Sequence, residues 1–486
     1  MEEVIKKIKE LEPLSKTLEP DEKKRKEWEA EIFGYAGEFL NEVNSLKGYD
    51  GSDDMGKGIL DLELDGGPRS LDQILPALKK NVDRAGINPA SGGHLGYIPG
   101  GGIYTSALGD YLAAVTNRYA GMFFGNPGAV RIENQLIRWM CKLVGFPEGS
   151  LGNLTSGGSI ANLIAIVTAR DVKQIKARDV ETAVIYLTEQ VHHCVHKAIR
   201  IAGMGEAVLR NIPLDAHFRL DAEALKRQVF ADRKNGLRPF LVVGSAGTTD
   251  TGAMDPLDDI ATIATENDMW FHVDAAYGGF FILTDTLKDR FKGIERSDSV
   301  AIDPHKGLFL AYGLGAVLIK DVEAQFKSHY YRAAYMQDTL DANEELNPAD
   351  LSPELTKHFR GLRMWLSLQL FGIEPFKACL EEKYWLCRYF YKAIQKEGFE
   401  VGPEPDLSVC IYRYVPEKGD ANEFNRLLTE YVKNDGTVFI SSTSINGVFW
   451  IRLAVLGFRT HLHTIEQCLT QLKNGVEYLK KQDAFF

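Results

Sequence analysis

Between about residue 105 and residue 370 the chain alternates segments of helical periodicity with short, wholly apolar runs. Residues 136–144, 161–176 and 195–201 read as helices, whereas 183–187, 240–244, 269–273 and 315–319 are apolar throughout, as strands buried on both faces must be. Alternation on this scale predicts βαβ units and a mostly parallel sheet covered by helices on both sides. Such sheets take their ligands at the carboxyl ends of their strands. Asp274, Lys306 and the turn Gly247-Thr248-Thr249 each follow closely on a strand-like run, so this fold class directs them to converge.

Beyond about 370 the pattern changes to a helix over 374–396, strands near 407–414 and 447–455, and a helix over 464–480, which predicts a smaller α+β unit. Ahead of the alternating region, 21–47 carries Trp28, Ile32, Phe33, Ala36, Phe39, Leu40 and Val43 at helical spacing, an amphipathic helix in need of a surface to cover. A chain of 486 residues is expected to hold several parts sharing a core: an N-terminal helical segment (1–104), a large ligand-binding domain (105–370) and a small domain (371–486). The glycine-rich stretch 51–58 falls one residue short of a P-loop, with Gly in place of the final Ser or Thr and no strand-like run before it, so it reads as a solvated linker.

Composition excludes several partners. Hydrophobic residues make up 45% and charged residues 25%, and 56 Lys and Arg stand against 67 Asp and Glu for a net charge of −11. Nucleic acid and anionic membranes both reward clustered positive charge, so neither is expected as a partner. The six cysteines, at 141, 194, 379, 387, 410 and 468, form no CxxC pair, which argues against a zinc ribbon or a disulfide framework and for a reducing compartment. Residues 1–7 alternate charge without the apolar core of a signal peptide, and no apolar run is long enough to cross a bilayer, so a cytoplasmic protein is expected.

Asp274 ends an apolar run in His272-Val273-Asp274-Ala275-Ala276-Tyr277, and Lys306 lies 32 residues further on, after the small apolar segment 299–302, in Asp303-Pro304-His305-Lys306. A lysine to bond an aldehyde and a carboxylate to keep a ring nitrogen protonated are what a pyridoxal phosphate enzyme requires. Taken alone, Asp274 is equally a helix cap or turn residue. Thr155-Ser156-Gly157-Gly158-Ser159 precedes a helix starting near Ile160. Its glycines and hydroxyls suit a phosphate at the helix N-terminus through Gly158 and Ser159, although an ordinary capped helix start has the same composition. His192 and His196 are four apart and could share a helix face toward a metal, but no carboxylate or third histidine joins them at ligand spacing, so no metal is expected.

The His-Val-Asp-Ala-Ala-Tyr and Pro-His-Lys words at this spacing resemble the group II pyridoxal phosphate-dependent amino-acid decarboxylases, the aromatic-L-amino-acid and tryptophan decarboxylases among them. The resemblance implies a fold-type I α/β enzyme that removes the α-carboxylate of an L-amino acid, with pyridoxal 5'-phosphate on Lys306 and Asp274 against its ring nitrogen. It continues in Thr188-Glu189-Gln190-Val191-His192-His193, where the family's histidine, here His192, stacks on the cofactor ring. It also implies Ala276 as the small residue against the ring, Thr249 as a hydrogen-bonding group near cofactor or substrate, and His305 close to the phosphate.

His94-Leu95-Gly96-Tyr97-Ile98-Pro99 looks like the family's pocket segment and makes Tyr97, Ile98 and Pro99 the substrate-pocket candidates, and 358–365 is similar to a further family word. Tyr335, 29 residues beyond Lys306, takes the place of a mobile-loop tyrosine that protonates the carbon released by decarboxylation, with Tyr330 and Tyr331 as rivals. The stretch 338–353, with few apolar anchors, is expected to form a lid. Two positions depart from the family: Asp303 replaces the asparagine of animal members and Gly307 the usual tryptophan. Asp303 is given no binding role, because it would repel a phosphate unless protonated or turned away. Family members are homodimers with the active site at the subunit interface, so a second copy is the expected macromolecular partner. Glutamate decarboxylation and an oxygen-using aldehyde synthase remain rival activities, and His192 and Tyr335 speak against the second.

Overall fold

The structure, a computed structural model, describes residues 1–52, 54–64, 67–331 and 345–481. At its centre lie seven strands: β1 (Leu151–Thr155), β2 (Ala183–Leu187), β3 (Val208–Asn211), β4 (Arg238–Ser245), β5 (Trp270–Asp274), β6 (Ser299–Ile302) and β7 (Gly315–Ile319). Their spatial order is β1-β7-β6-β5-β4-β2-β3. Strands β2 to β6 pair in parallel, and β7 runs antiparallel to both of its neighbours, β1 and β6. The fold is therefore α/β with a mostly parallel sheet, as the alternating pattern predicts.

Successive side chains of a strand point to opposite faces, and this sorts the apolar runs into two cores. Val184, Tyr186, Val242, Phe271 and Val300 pack on one face with the helices Pro127–Leu143 and Leu257–Glu266. Ala183, Ile185, Leu187, Val243, Trp270 and Ala301 pack on the other with the helices Gly158–Val172 and His193–Ile201. Burial on both sides explains why these strands read as continuous apolar runs. The sequence reading missed β1 and β3, since Gly152 and Asn153 interrupt the first and the second is a partly exposed edge strand.

Past residue 370 four antiparallel strands, β8 (Glu400–Val401), β9 (Val409–Arg413), β10 (Ser441–Ile445) and β11 (Val448–Ala454), lie in the order β8-β9-β11-β10. The helices Glu374–Lys396, Ala421–Asp435 and Leu462–Lys480 cover them around Phe390, Phe424, Leu428 and Leu472. Asp406 ties this sheet to the larger one by accepting from the guanidinium groups of Arg219 and Arg290 and from the Met254 N–H at 3.0 Å.

The expected amphipathic helix spans Glu22–Glu42, its first turn capped by the Asp21 carboxylate on Lys24 N at 2.7 Å. Phe33 meets Tyr111 edge-on at 5.7 Å, while Trp28 and Ile32 stay exposed. The P-loop-like stretch leads only to a short 3-10 turn, Lys57–Asp61, and so opens no α-helix that could face a phosphate. One expectation needs correction. Residues 345–353 are not loose: Pro348 and Leu351 are buried, Glu345 pairs with Arg138, and Asn347 Oδ1 accepts the Phe123 N–H at 2.7 Å. Two isolated apolar residues make a weak sequence pattern but a sufficient anchor. Among the described residues no helix is long and apolar enough to cross a membrane.

Candidate active site

Five strands deliver their carboxyl ends to one cavity of about 750 Å3, measured to include its open mouth. After β1 come Ser156, Gly157, Gly158 and Ser159; after β2, Gln190 and His192; after β4, Gly247, Thr248 and Thr249; from β5, Asp274 and Ala276; after β6, Asp303, His305 and Lys306. Every cofactor residue expected from the sequence thus lines this cavity. Gly158 and Ser159 form the first turn of the helix Gly158–Val172, so their N–H groups lack intrahelical partners and point outward, an anion-binding geometry. A Cβ on Gly158 would lie 3.1 Å from both Ala276 Cβ and Asp303 Oδ2, a contact so tight that either neighbour would have to give way.

Asp274 is buried, with Oδ1 accepting the Ala276 N–H at 3.1 Å and Oδ2 facing Asn162 Nδ2 at 3.4 Å. Lys306 Nζ stands 3.0 Å from Asp303 Oδ2. Burial works against the Lys306 ammonium, but the Asp303 carboxylate outweighs it and holds this lysine above its ordinary pKa. Asp303 is thus turned toward the lysine. His305 Nδ1 donates to the Leu314 carbonyl at 2.6 Å, leaving Nε2 as the acceptor, and burial pushes its pKa down. His192 Nδ1 accepts the Cys194 N–H at 3.3 Å, which caps the helix His193–Ile201 and fixes the ring at the cavity wall. Burial lowers the His192 pKa, with the Asp274 charge opposing.

The turn bearing Thr249 is held from the small sheet. Arg452, on β11, donates to the carbonyls of Thr249 and Asp250 and, at 2.7 Å, to Ser441 Oγ, which also accepts the Tyr97 N–H at 3.2 Å. Gly247 has φ +95°, and a Cβ there would meet Leu407 and Tyr277 at 2.8 Å, so the sharp turn requires glycine.

One expectation is not met as stated. Tyr97, Ile98 and Pro99 do not line the cavity of a single chain. Ile98 belongs to the main core and Pro99 is buried, because the segment is drawn inward at Gly100, whose Cβ position lies 2.1 Å from the His305 carbonyl oxygen; Tyr97 alone is exposed. His193 and His196 are exposed and outside the cavity lining, although the His193 ring packs 4.1 Å from that of His192. Gly307 is explained by packing: a side chain there would meet Phe280 Cβ at 2.7 Å, so no tryptophan fits. Tyr335 lies outside the described residues. Asn162, Gln190 and Arg452 were missed. Asn162, one helical turn after Gly158, could have been found from its i+4 spacing.

The donor set suits pyridoxal 5'-phosphate. A helix N-terminus with a glycine cradle waits for a phosphate, a buried carboxylate for a ring nitrogen, and a lysine for an aldehyde, while the buried Gln190 Oε1 on the cavity wall has no hydrogen-bond partner.

Comparison with known proteins agrees with this geometry. The family described as the pyridoxal-dependent decarboxylase conserved domain matches residues 56–415. An aromatic-L-amino-acid decarboxylase of Bacillus atrophaeus is 31% identical over 407 residues, 82% of this chain and 84% of the relative. A phenylacetaldehyde synthase of Arabidopsis thaliana is 26% identical over 427 residues, 85% of this chain and 87% of the relative. The solved structure of Oryza sativa TDC with PLP and tryptamine superposes with a TM-score of 0.89 at 22% identity, covering 95% of this chain and 99% of that one, a likeness of fold.

Proposed function

Because the chain belongs to the pyridoxal-dependent decarboxylase family, we propose that it is a carboxy-lyase acting on an aromatic L-amino acid, releasing CO2 and the amine. The observation that carries this reading is the convergence of Lys306, Asp274, His192 and the Gly158-Ser159 turn on one cavity. Bound pyridoxal 5'-phosphate supplies an electron sink for the pair left behind when CO2 departs.

The chain's own residues do the rest. Lys306 would hold the cofactor through its aldehyde until the substrate amine takes its place. Asp274, set between the Ala276 N–H and the Asn162 amide, would hold the ring nitrogen protonated. Gly158 and Ser159 would grip the phosphate with His305 close by, His192 and Ala276 would hold the ring, and Thr249 would hydrogen-bond near cofactor or substrate. Tyr335 donates the proton to the carbon from which CO2 has left.

An aromatic substrate is favoured over glutamate, because Lys306 is the one lysine or arginine among the described residues lining the cavity and is committed to the cofactor. Burying a substrate ring of roughly 100–150 Å2 is worth about 2.5–4 kcal/mol at about 25 cal/mol per Å2. The active form is a homodimer in the cytoplasm, in which a second copy brings exposed pocket residues such as Tyr97 to the cavity mouth. Residues 1–104 serve as the dimerising segment, 105–370 as the cofactor domain and 371–486 as the small domain. A second reading, oxidative conversion to an aldehyde, rests on the likeness to the phenylacetaldehyde synthase.

An amine-release screen over the proteinogenic amino acids, with CO2 and peroxide followed together, tests these readings. Tryptophan, tyrosine or phenylalanine should give the highest kcat/KM with one amine per CO2. A higher value for glutamate overturns the substrate assignment, and stoichiometric peroxide turns the reading to the aldehyde synthase.

A further inference from the structure

Trp270, His272 and Asp274 alternate along β5 and therefore share one face, the face on which the helix Gly158–Val172 packs. On that face runs a buried chain of hydrogen bonds: Trp270 Nε1 to Ser299 Oγ at 2.8 Å, Ser299 Oγ to His272 Nδ1 at 2.8 Å, His272 Nε2 to Asn162 Oδ1 at 2.8 Å, and Asn162 Nδ2 to the Gly158 carbonyl at 2.8 Å and Asp274 Oδ2 at 3.4 Å. Cys194 Sγ flanks the last contact at 3.6 Å. Ser299 and His272 are cross-strand neighbours of β6 and β5.

Chemistry at the two ends fixes the direction of every bond between them. The Gly158 carbonyl and the Asp274 carboxylate only accept, so Asn162 must turn its NH2 to them and its oxygen to His272. His272 Nε2 then carries the proton and Nδ1 accepts. Ser299 must donate to Nδ1, and its lone pair takes the indole N–H of Trp270, which only donates. Burial keeps His272 neutral, its pKa lowered to about 4.

We infer that Asn162, oriented by His272 and Ser299, is a positioning residue whose one amide joins the two grips on the cofactor, the phosphate turn at Gly158 and the ring-nitrogen carboxylate of Asp274. This rests on the cofactor reading above. One NH2 group bonded to both sets their separation and holds Asp274 Oδ2 as an acceptor facing a donor. A steric role would be met by any side chain of asparagine's shape. The positioning role needs the two N–H donors.

Two measurements test this. In the unloaded full-length protein carrying ring-15N histidine, the His272 signals, assigned by their loss in His272→Gln, should show a neutral ring protonated at Nε2; a ring protonated at Nδ1 overturns the inference whatever the cofactor does. In equilibrium dialysis, Asn162→Ala and the isosteric Asn162→Asp should both bind pyridoxal 5'-phosphate about 10- to 100-fold more weakly than wild type, the range expected for lost hydrogen bonds to a charged group. Wild-type affinity in either folded variant overturns it. Failure of the cofactor reading shows differently: wild type would then form no borohydride-reducible link at Lys306, with the histidine tautomer unaffected.

Discussion

At the scale of single residues, Asp303 and Tyr335 make the sharpest claims. The Asp303 carboxylate, 3.0 Å from Lys306 Nζ, stabilises the ammonium, so Asp303→Asn should lower the lysine's pKa. The rate of Lys306 acylation by acetic anhydride in the unloaded protein, followed against pH by mass spectrometry, should shift its midpoint downward; an upward shift or none would dismiss the pairing. For Tyr335→Phe, loss of a proton donor should reduce amine release by roughly 10²–10⁴-fold with cofactor binding retained, because general acid catalysis is worth that much. Some turnover should then appear as aldehyde, ammonia and peroxide. Unchanged amine output would move the role to another group, with Tyr330, Tyr331 and His192 first to examine. The family words placed Lys306, Asp274 and His192 without any structure, because each sits at the end of an apolar strand or just beyond one. Asn162 carries only a weak mark, its i+4 spacing from Gly158, since an asparagine in a helix is read as a surface residue until the strand beneath it is known.

At the scale of elements, the helix Pro127–Leu143 is pinned by a buried ion pair. Lys357 Nζ lies 2.6 Å from Glu133 Oε2, with both side chains almost wholly out of solvent. Removing one partner leaves an uncompensated buried charge, so Lys357→Met should cost about 3–5 kcal/mol in urea unfolding. Glu133→Leu with Lys357→Met should recover most of it, because two charges need no longer be desolvated. A single-variant loss below about 1 kcal/mol would show that the pair is not what anchors the helix. Strands β2 and β7 fall on the expected residues 183–187 and 315–319, since burial on both faces leaves an unbroken apolar run. Strand β10, Ser-Ser-Thr-Ser-Ile, was invisible for the opposite reason: its partly polar run owes its place to pairing with β11.

At the scale of the whole molecule, stability should depend on pH through groups far from one another. Burial holds His94 and His272 near a pKa of about 4, below the unfolded value, so each takes up a proton on unfolding as pH falls from about 6.5 toward 4. Asp255 is raised to about 6 by burial and releases a proton on unfolding in nearly the same window. For these three groups the net uptake is about one proton, so stability should fall by about 1.4 kcal/mol per pH unit on acidification between about pH 6 and pH 4.5. His94→Phe removes one uptake and should flatten that slope; an unchanged slope would refute the assignment. Assembly offers a second test. Mixing inactive Lys306→Ala and Tyr335→Phe subunits should restore some decarboxylation if Tyr335 serves the partner's cavity, and an active monomer in sedimentation would end the dimer reading. The parallel α/β sheet, and the delivery of Asp274 and Lys306 to its carboxyl edge, were legible along the chain, because strand burial and turn position are local properties that a linear pattern records. The grip of Arg452 on Thr249, 203 residues away, the path from Trp270 to Asn162, and the withdrawal of Ile98 into the core were not. Those contacts join segments with no common periodicity, and they come into being only when close packing brings distant donors and acceptors out of water together.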